Sequence, residues 1–88
     1  MANVTSTFLY RQITATTQIR AAEIAGIFVS SSTAGTVTIY DDAFGGLTNK
    51  IVDTVTLAPG WYFMPFRAQS GAFNVVVTGT LSATIALA

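Results

Sequence analysis

Apolar and polar residues alternate along much of this chain, with the period of two that β-strands require. In residues 36–40, Val37 and Ile39 fall on one side, and threonines and a tyrosine fall on the other. Residues 73–78 and 81–87 alternate in the same way. The pattern therefore predicts three strands, each with one apolar side that can face a core.

Four other segments are also predicted as strands, by composition as well as alternation. They are a segment near residues 7–14, then 23–30, 51–57 and 61–66. Around the start of the second, Ala21, Ala22, Glu23 and Ala25 favour helix, but Gly26 and the Ile-Phe-Val run after it favour a buried strand. In the third, Asp53 falls on the apolar side, and we expect it to lie near a strand end or to pair with Lys50 or an arginine.

Turn-forming residues separate these strands. A Ser triplet ends the strand at 23–30, Asp and Gly residues fill 41–46, and residues 79–80 make a short connection. Residues 59–60 are Pro-Gly, as the second and third positions of a type II turn require. Pro65 cannot donate to a β-ladder, so its strand is expected at a sheet edge or at a bulge.

About six strands after residue 20, with no helix of consequence, predict an all-β fold. The expected architecture is a small antiparallel β-sandwich or jelly-roll-like barrel. Residues 1–20 are polar and Thr-rich and carry Arg11 and Arg20 without an acid. They are either an extended N-terminal arm that lies on a partner or the first strand of the same domain. The division adopted is an arm at 1–20 and a β-sandwich domain at 21–88.

Composition indicates a protein that associates with others. The 88 residues suffice for one small domain, and Cys and His are both absent, so disulfides and the usual zinc ligands are excluded. Only 9% of residues are charged, against a typical ~25%, and mean hydropathy is +0.57. Burial of the surface in an assembly explains this, and a neutral surface kept soluble by Thr and Ser hydroxyls is the alternative.

Charge and hydropathy argue against two classes of partner. Arg11, Arg20, Lys50 and Arg67 are scattered and the formal net charge is 0, so no basic patch for nucleic acid is expected. No apolar run approaches the ~18 residues of a membrane span. Residues 1–12 lack the basic and apolar regions of a signal peptide, so synthesis in a cytoplasm is expected.

The residues that remain do not compose a catalytic centre. The acids are Glu23, Asp41, Asp42 and Asp53, and the adjacent pair points apart in a strand, whereas a glycosidase needs two facing carboxylates. Oxygen ligands at 41–42 suit Ca²⁺, but their spacing is not that of an EF-hand, and two Asp at a turn are commonly turn formers. We therefore predict no enzyme activity, no cofactor and no metal.

The aromatic stretch 61–66 is the best candidate for a contact surface. Trp61 and Phe63 share one side of this strand with Pro65, and Tyr62 and Phe66 share the other. One side fills the core, and the other is free to contact another chain. A core Trp with a Tyr at the rim is the plainer interpretation. The candidate interface residues are Phe8, Tyr10, Arg11, Trp61, Tyr62, Phe66 and Arg67, with the last three favoured.

The strand order over roughly residues 24–87 resembles a known family. It reads IFVSSSTAGTVTIYDD, a Gly-rich loop, KIVDTVTLAPGWYFMPF, a short loop and GAFNVVVTGTLSATIALA. This is similar to the small β-sandwich capsid decoration (cement) proteins of tailed bacteriophages; residues 1–20 are not covered. The resemblance implies a non-enzymatic virion structural protein on the capsid surface. Its partners would be its own copies, in a symmetric trimer or dimer, and the major capsid protein.

A carbohydrate- or receptor-binding module of a head fibre or tail component is the alternative function. Trp and Tyr at the edge of a β-sandwich suit stacking on sugars. Sugar sites also need convergent polar groups, and near Trp61 only Arg67 and Gln69 qualify.

Overall fold

The computed structural model describes residues 9–21 and 23–87, so the candidate Phe8 lies outside the described residues. All regular structure in these ranges is strand, and no helix there could cross a membrane. The six strands are β1 (Leu9–Ile13), β2 (Thr17–Ile19), β3 (Glu23–Asp41), β4 (Lys50–Thr56), β5 (Gly60–Arg67) and β6 (Phe73–Leu87).

All six strands belong to one antiparallel sheet with β3 and β6 at its centre. These two long strands pair with each other from residues 24 and 87 to residues 41 and 73. Two short strands lie end to end along the free side of each. β1 and β2 pair with β6, and β4 and β5 pair with β3.

The sheet is folded over at its middle. A straight strand of 19 residues, the length of β3, would be about 60 Å long. Arg67 pairs with Glu23 at one end of β3, and Phe73 pairs with Asp41 at the other. The intervening residues 68–72 can span at most about 20 Å. The two ends of β3 must therefore lie close together.

Folding produces two four-stranded halves that pack face to face. The first half consists of β1, β5 and residues 23–29 and 83–87, and the second consists of β2, β4 and residues 36–41 and 73–78. Inward side chains of both halves form one core, and the predicted all-β, sandwich-like fold class is confirmed. The core residues are Ile13, Ile19, Ile24, Ile27, Val29, Val37, Ile39, Leu57, Ala68, Phe73, Val75, Leu81, Ala83 and Ile85.

The bend lies where loops were predicted, and those two predictions are wrong. Residues 31–33 pair with residues 80–82, so β3 continues through the Ser triplet and β6 continues through residues 79–80. Register shifts flank this pairing, and Ala34 and Gly79 take φ values of 54° and 73°. The Gly35 N–H donates to Ser32 Oγ at 3.1 Å, which closes the irregular turn of the chain.

The connection at residues 58–60 also differs from the prediction. Gly60 has φ 145°, far from the value of about +80° that a type II turn needs at its third position. β4 and β5 pair with successive parts of β3 and not with each other, so the connection between them makes no hairpin. In the described sheet β5 pairs with β3 alone, so the expectation of an edge strand for Pro65 is confirmed.

A bulge in β4 accounts for Asp53. The register passes from Val37 opposite Val55 to Ile39 opposite Val52, so one extra residue is present in β4. The bulge reverses the alternation, and Val52 and Val55 both pack against the core. Asp53 is exposed and forms the predicted ion pair with Lys50, at 3.1 Å.

The described part of the segment 1–20 belongs to the sheet. β1 and β2 pair in register with β6, and Ile13 and Ile19 are buried in the core. This pairing agrees with the interpretation of a first strand of the same domain. The division of the chain at residue 20 stays a prediction.

Candidate functional site

Strand β5 exposes the opposite side from the one favoured by the sequence. Tyr62 and Phe66 are half-buried and pack against the core. Trp61 and Phe63 point outward and are 49% and 72% exposed. The interpretation of a core Trp with a rim Tyr is therefore wrong, because Trp61 lies on the outer surface.

The outward side chains of the first half form two rows that cross its four strands. In the order β5, β3, β6 and β1, the rows are Trp61, Phe28, Thr84 and Gln12, and Phe63, Gly26, Ala86 and Tyr10. We call these eight residues the aromatic face. Its four aromatic side chains are between 48% and 72% exposed. Monomeric proteins rarely expose large apolar patches of this kind.

Gly26 determines how Trp61 lies on this face. A Cβ at position 26 would come within 2.9 Å of Trp61 Cη2 and would also overlap the Tyr62 carbonyl oxygen. The indole ring therefore lies over the backbone of β3, in space that only glycine leaves free. This packing leaves one side of a large ring presented to the exterior.

Charge is confined to one end of this side of the sheet. Arg67, two residues beyond Pro65, points outward, and its Nη2 lies 2.9 Å from Glu23 Oε1. The Arg67 Nε–H donates to the same oxygen at 3.0 Å. The two charges offset each other at the rim, and the eight residues of the aromatic face carry none.

The outer side of the second half is covered by the chain itself. The loop between β3 and β4 folds over it, and Asn74 Nδ2 donates to the Gly46 carbonyl at 3.3 Å. Asn74 is only 4% exposed, and Gln18 beside it is half-buried under Gly45. The two outer sides therefore differ, since no loop within residues 9–21 and 23–87 lies over the aromatic face in this way.

A polar cluster at the junction of the two halves is a structural element. Asp41 accepts hydrogen bonds from the backbone N–H groups of Gln69 and Ser70, at 2.8 and 3.0 Å, and from Ser70 Oγ at 2.6 Å. These donors, the Ser70 hydroxyl first, lower the pKa of Asp41 below its ordinary value. The carboxylate thus ties residues 69–70 to the end of β3.

An open cavity of about 310 Å³ adjoins this cluster. It is lined by Asp41, Asn49, Lys50, Ile51, Gln69 and Ser70. The Lys50 ammonium bonds to Asp53, which raises the pKa of Lys50 and lowers that of Asp53. The charged groups here are bonded to other groups of the same chain. In the described ranges, no three acids, histidines or cysteines lie close enough together to hold a metal ion. Asp42 forms a turn by accepting from the Phe44 N–H at 2.8 Å.

Of the predicted interface residues, three lie on the outer side of the first half. Tyr10 and Trp61 belong to the aromatic face, and Arg67 lies at its rim. Arg11 is exposed but alternates with Tyr10, so it falls on the opposite side of the edge strand β1. Tyr62 and Phe66 point to the core, as described above.

Phe28 and Phe63 were missed as members of the site. Phe28 reads as part of a buried Ile-Phe-Val run, and its position between Ile27 and Val29 is the signal that it points the other way. Phe63 shares the parity of Trp61. The choice between the two sides of β5 needed the register with β3, which alternation alone does not supply.

No family model, curated protein or solved structure matches this chain in the corresponding comparisons.

Proposed function

We propose that this chain is a non-enzymatic structural protein of a tailed-bacteriophage virion, which decorates or cements the capsid surface as a symmetric oligomer. The observation that carries the proposal is the uncharged aromatic face, built on one half of the sandwich and left exposed by the part of the chain that the structure describes. Exposed aromatic side chains grouped on one face of a sheet are typical of surfaces that bind other proteins. The major capsid protein and further copies of the chain are the proposed partners.

The physical basis of attachment is burial of apolar area. Each Å² of apolar surface removed from water contributes about 25 cal/mol before the costs of association. Aromatic residues are the strongest contributors at interfaces because they bury large areas with few rotatable bonds. Since the face is uncharged, attachment should respond little to salt, unlike contacts between opposite charges.

A carbohydrate-binding module is the second proposal, and the exposed ring of Trp61 over Gly26 favours it. A flat indole face suits stacking on a sugar ring. The polar groups that a sugar site needs are few here, since Arg67 is bonded to Glu23 and Gln12 is the longest polar side chain on the face. Protein docking therefore accounts for more of the surface.

The test is the composition of virus particles and the attachment of purified chain to them. Mass spectrometry of purified particles should find the chain in a fixed ratio to the major capsid protein. In sedimentation assays, Phe63→Lys should abolish attachment to particles lacking the chain. Phe44→Lys, at a residue 95% exposed outside the face, should attach as the unaltered chain does. Particles free of the chain would overturn the proposal.

A further inference from the structure

The aromatic face has the relief of a ridge beside a floor. On the β5 side, Trp61, Phe28 and Phe63 stand above the sheet. The next strand, β6, presents only Thr84 and Ala86, which are half-buried. Large side chains thus occupy the β5 side of the face, small ones occupy the strip along β6, and Tyr10 lies beyond that strip on β1.

A two-fold axis parallel to the strands would make this relief self-complementary. Such an axis, placed between β3 and β6, turns a second copy over, so that β5 and β3 of each copy lie above β1 and β6 of the other. An interface with this symmetry uses the same patch on both copies. Phe28 of one copy would then contact Thr84 of the other, and Trp61 and Phe63 would lie above Gln12 and Tyr10.

The four aromatic rings supply more than half of the area that a stable pair of proteins buries. Aromatic side chains bury about 150–250 Å² each, so the exposed fractions of the four rings amount to on the order of 500 Å². Stable interfaces bury about 800 Å² per partner, and Gln12, Pro65 and the β6 strip would supply the remainder.

Charge and backbone both favour face-to-face packing. Two copies of a patch meet without repulsion only if it carries no net charge, and the charges on the same side of the sheet are the offset Glu23 and Arg67. Side-by-side pairing through the edge of β5 is disfavoured, because Pro65 interrupts its row of backbone donors.

We propose that a second copy of this chain covers the aromatic face, so that the protein forms a two-fold symmetric dimer with the two aromatic faces in contact. This inference rests on the proposed function, and names the partner that the face binds directly. Attachment to a larger assembly would then use the outer surfaces of the dimer, and Phe63→Lys would abolish attachment by separating the two copies.

Light scattering over a range of concentrations tests the dimer. The unaltered chain should reach twice its mass of 9.2 kDa, and the mass should be the same in low and high salt. Phe63→Lys should shift the dimer to monomer and raise the dissociation constant at least 100-fold, because two buried ammonium groups would lack partners. Phe44→Lys should remain dimeric.

A thermal melt shows whether Phe63→Lys has folded, and Gln12→Lys on β1 gives a second test at an exposed position of the same face. A monomeric unaltered chain, a trimer, or a dimer that withstands both face substitutions would overturn the inference. A monomer that still attaches to particles through Phe63 would overturn the dimer and keep the proposed function. If the chain is a dimer but is absent from particles, the dimer is kept and the proposed function is overturned.

Discussion

Gly79 lies at the bend of the sheet, where backbone conformation and close packing coincide. Its φ of 73° is in the left-handed region, and a Cβ there would overlap the carbonyl oxygen of Ala34 on the facing strand. The conformation strongly favours glycine, and the contact leaves no room for a Cβ. The bend therefore depends on the identity of this residue.

Gly79→Ala should destabilise the fold by about 2 kcal/mol or more, since it combines left-handed strain with steric overlap. Gly71→Ala is the matched control, because Gly71 has φ 92° and no heavy atom within 4 Å of the added Cβ. The control should cost about 1 kcal/mol, from conformation alone. Urea unfolding of both variants measures the difference, and equal losses would show that Ala34 does not obstruct the site.

Asp41 makes stability depend on pH. Its folded-state pKa is below the ordinary value of 3.8, so the stabilisation is fully present above that value and is lost as pH falls through the folded pKa. In Asp41→Asn, the melting temperature should fall less between about pH 5 and pH 2 than in the unaltered chain. Ser70→Ala, which removes the largest cause of the shift, should give an intermediate slope. Parallel slopes in all three proteins would contradict this role.

At the scale of the element, the bulge in β4 is held by hydroxyl groups. The Thr54 N–H donates to Thr38 Oγ1 at 3.1 Å, and the two hydroxyls lie 3.0 Å apart. Thr54 has φ 28°, which a β-branched residue rarely adopts. Thr38 is buried, so its hydroxyl takes the place of a ladder partner for the bulged residue.

Thr38→Val should cost about 1–2 kcal/mol, because it leaves the Thr54 N–H without its acceptor. Thr78→Val is the control; it removes an exposed hydroxyl that bonds to Thr36, and it should change stability by less than about 0.5 kcal/mol. Thermal unfolding of the two variants gives the comparison. A larger loss for the exposed site would mean that the bulge does not depend on Thr38.

Local alternation predicted most of the strands, and it failed where tertiary structure overrides local signals. Val37 and Ile39 face the core as predicted, because their strand is regular. In β4 the alternation predicted Asp53 on the core side, and the bulge next to it reversed the phase. Serine and glycine near residues 32 and 79 suggested loops, but long-range pairing of β3 with β6 keeps both segments in the sheet.

The same limit applies to the site. The sequence shows that 61–66 has two apolar sides, and both suit a core by composition. Which side is buried depends on pairing with β3, where Gly26 leaves room for the Trp61 ring on the outer surface. The available signal was Gly26 on β3, which lies next to the aromatic residues of β5. This glycine becomes informative only once the register between β3 and β5 is known.

At the scale of the whole molecule, folding one sheet in half gives a sandwich whose outer sides differ. The second half is covered by its own loop, and the first half presents aromatic rings. In the proposed assembly, this asymmetry would direct association to the side that carries the aromatic face. The bend and the core thus position the exposed face for the proposed role in assembly.

The chain contains one tryptophan, and Trp61 lies on the aromatic face, so its fluorescence reports directly on whether that face becomes covered. The decisive measurement is acrylamide quenching of Trp61 in dilute chain, in concentrated chain and in chain bound to particles. We expect quenching to fall and the emission of Trp61 to shift to shorter wavelength on association. The control variant Phe44→Lys should show the same two changes. Equal quenching of Trp61 in the free and the associated states would contradict the claim that assembly occurs through this face.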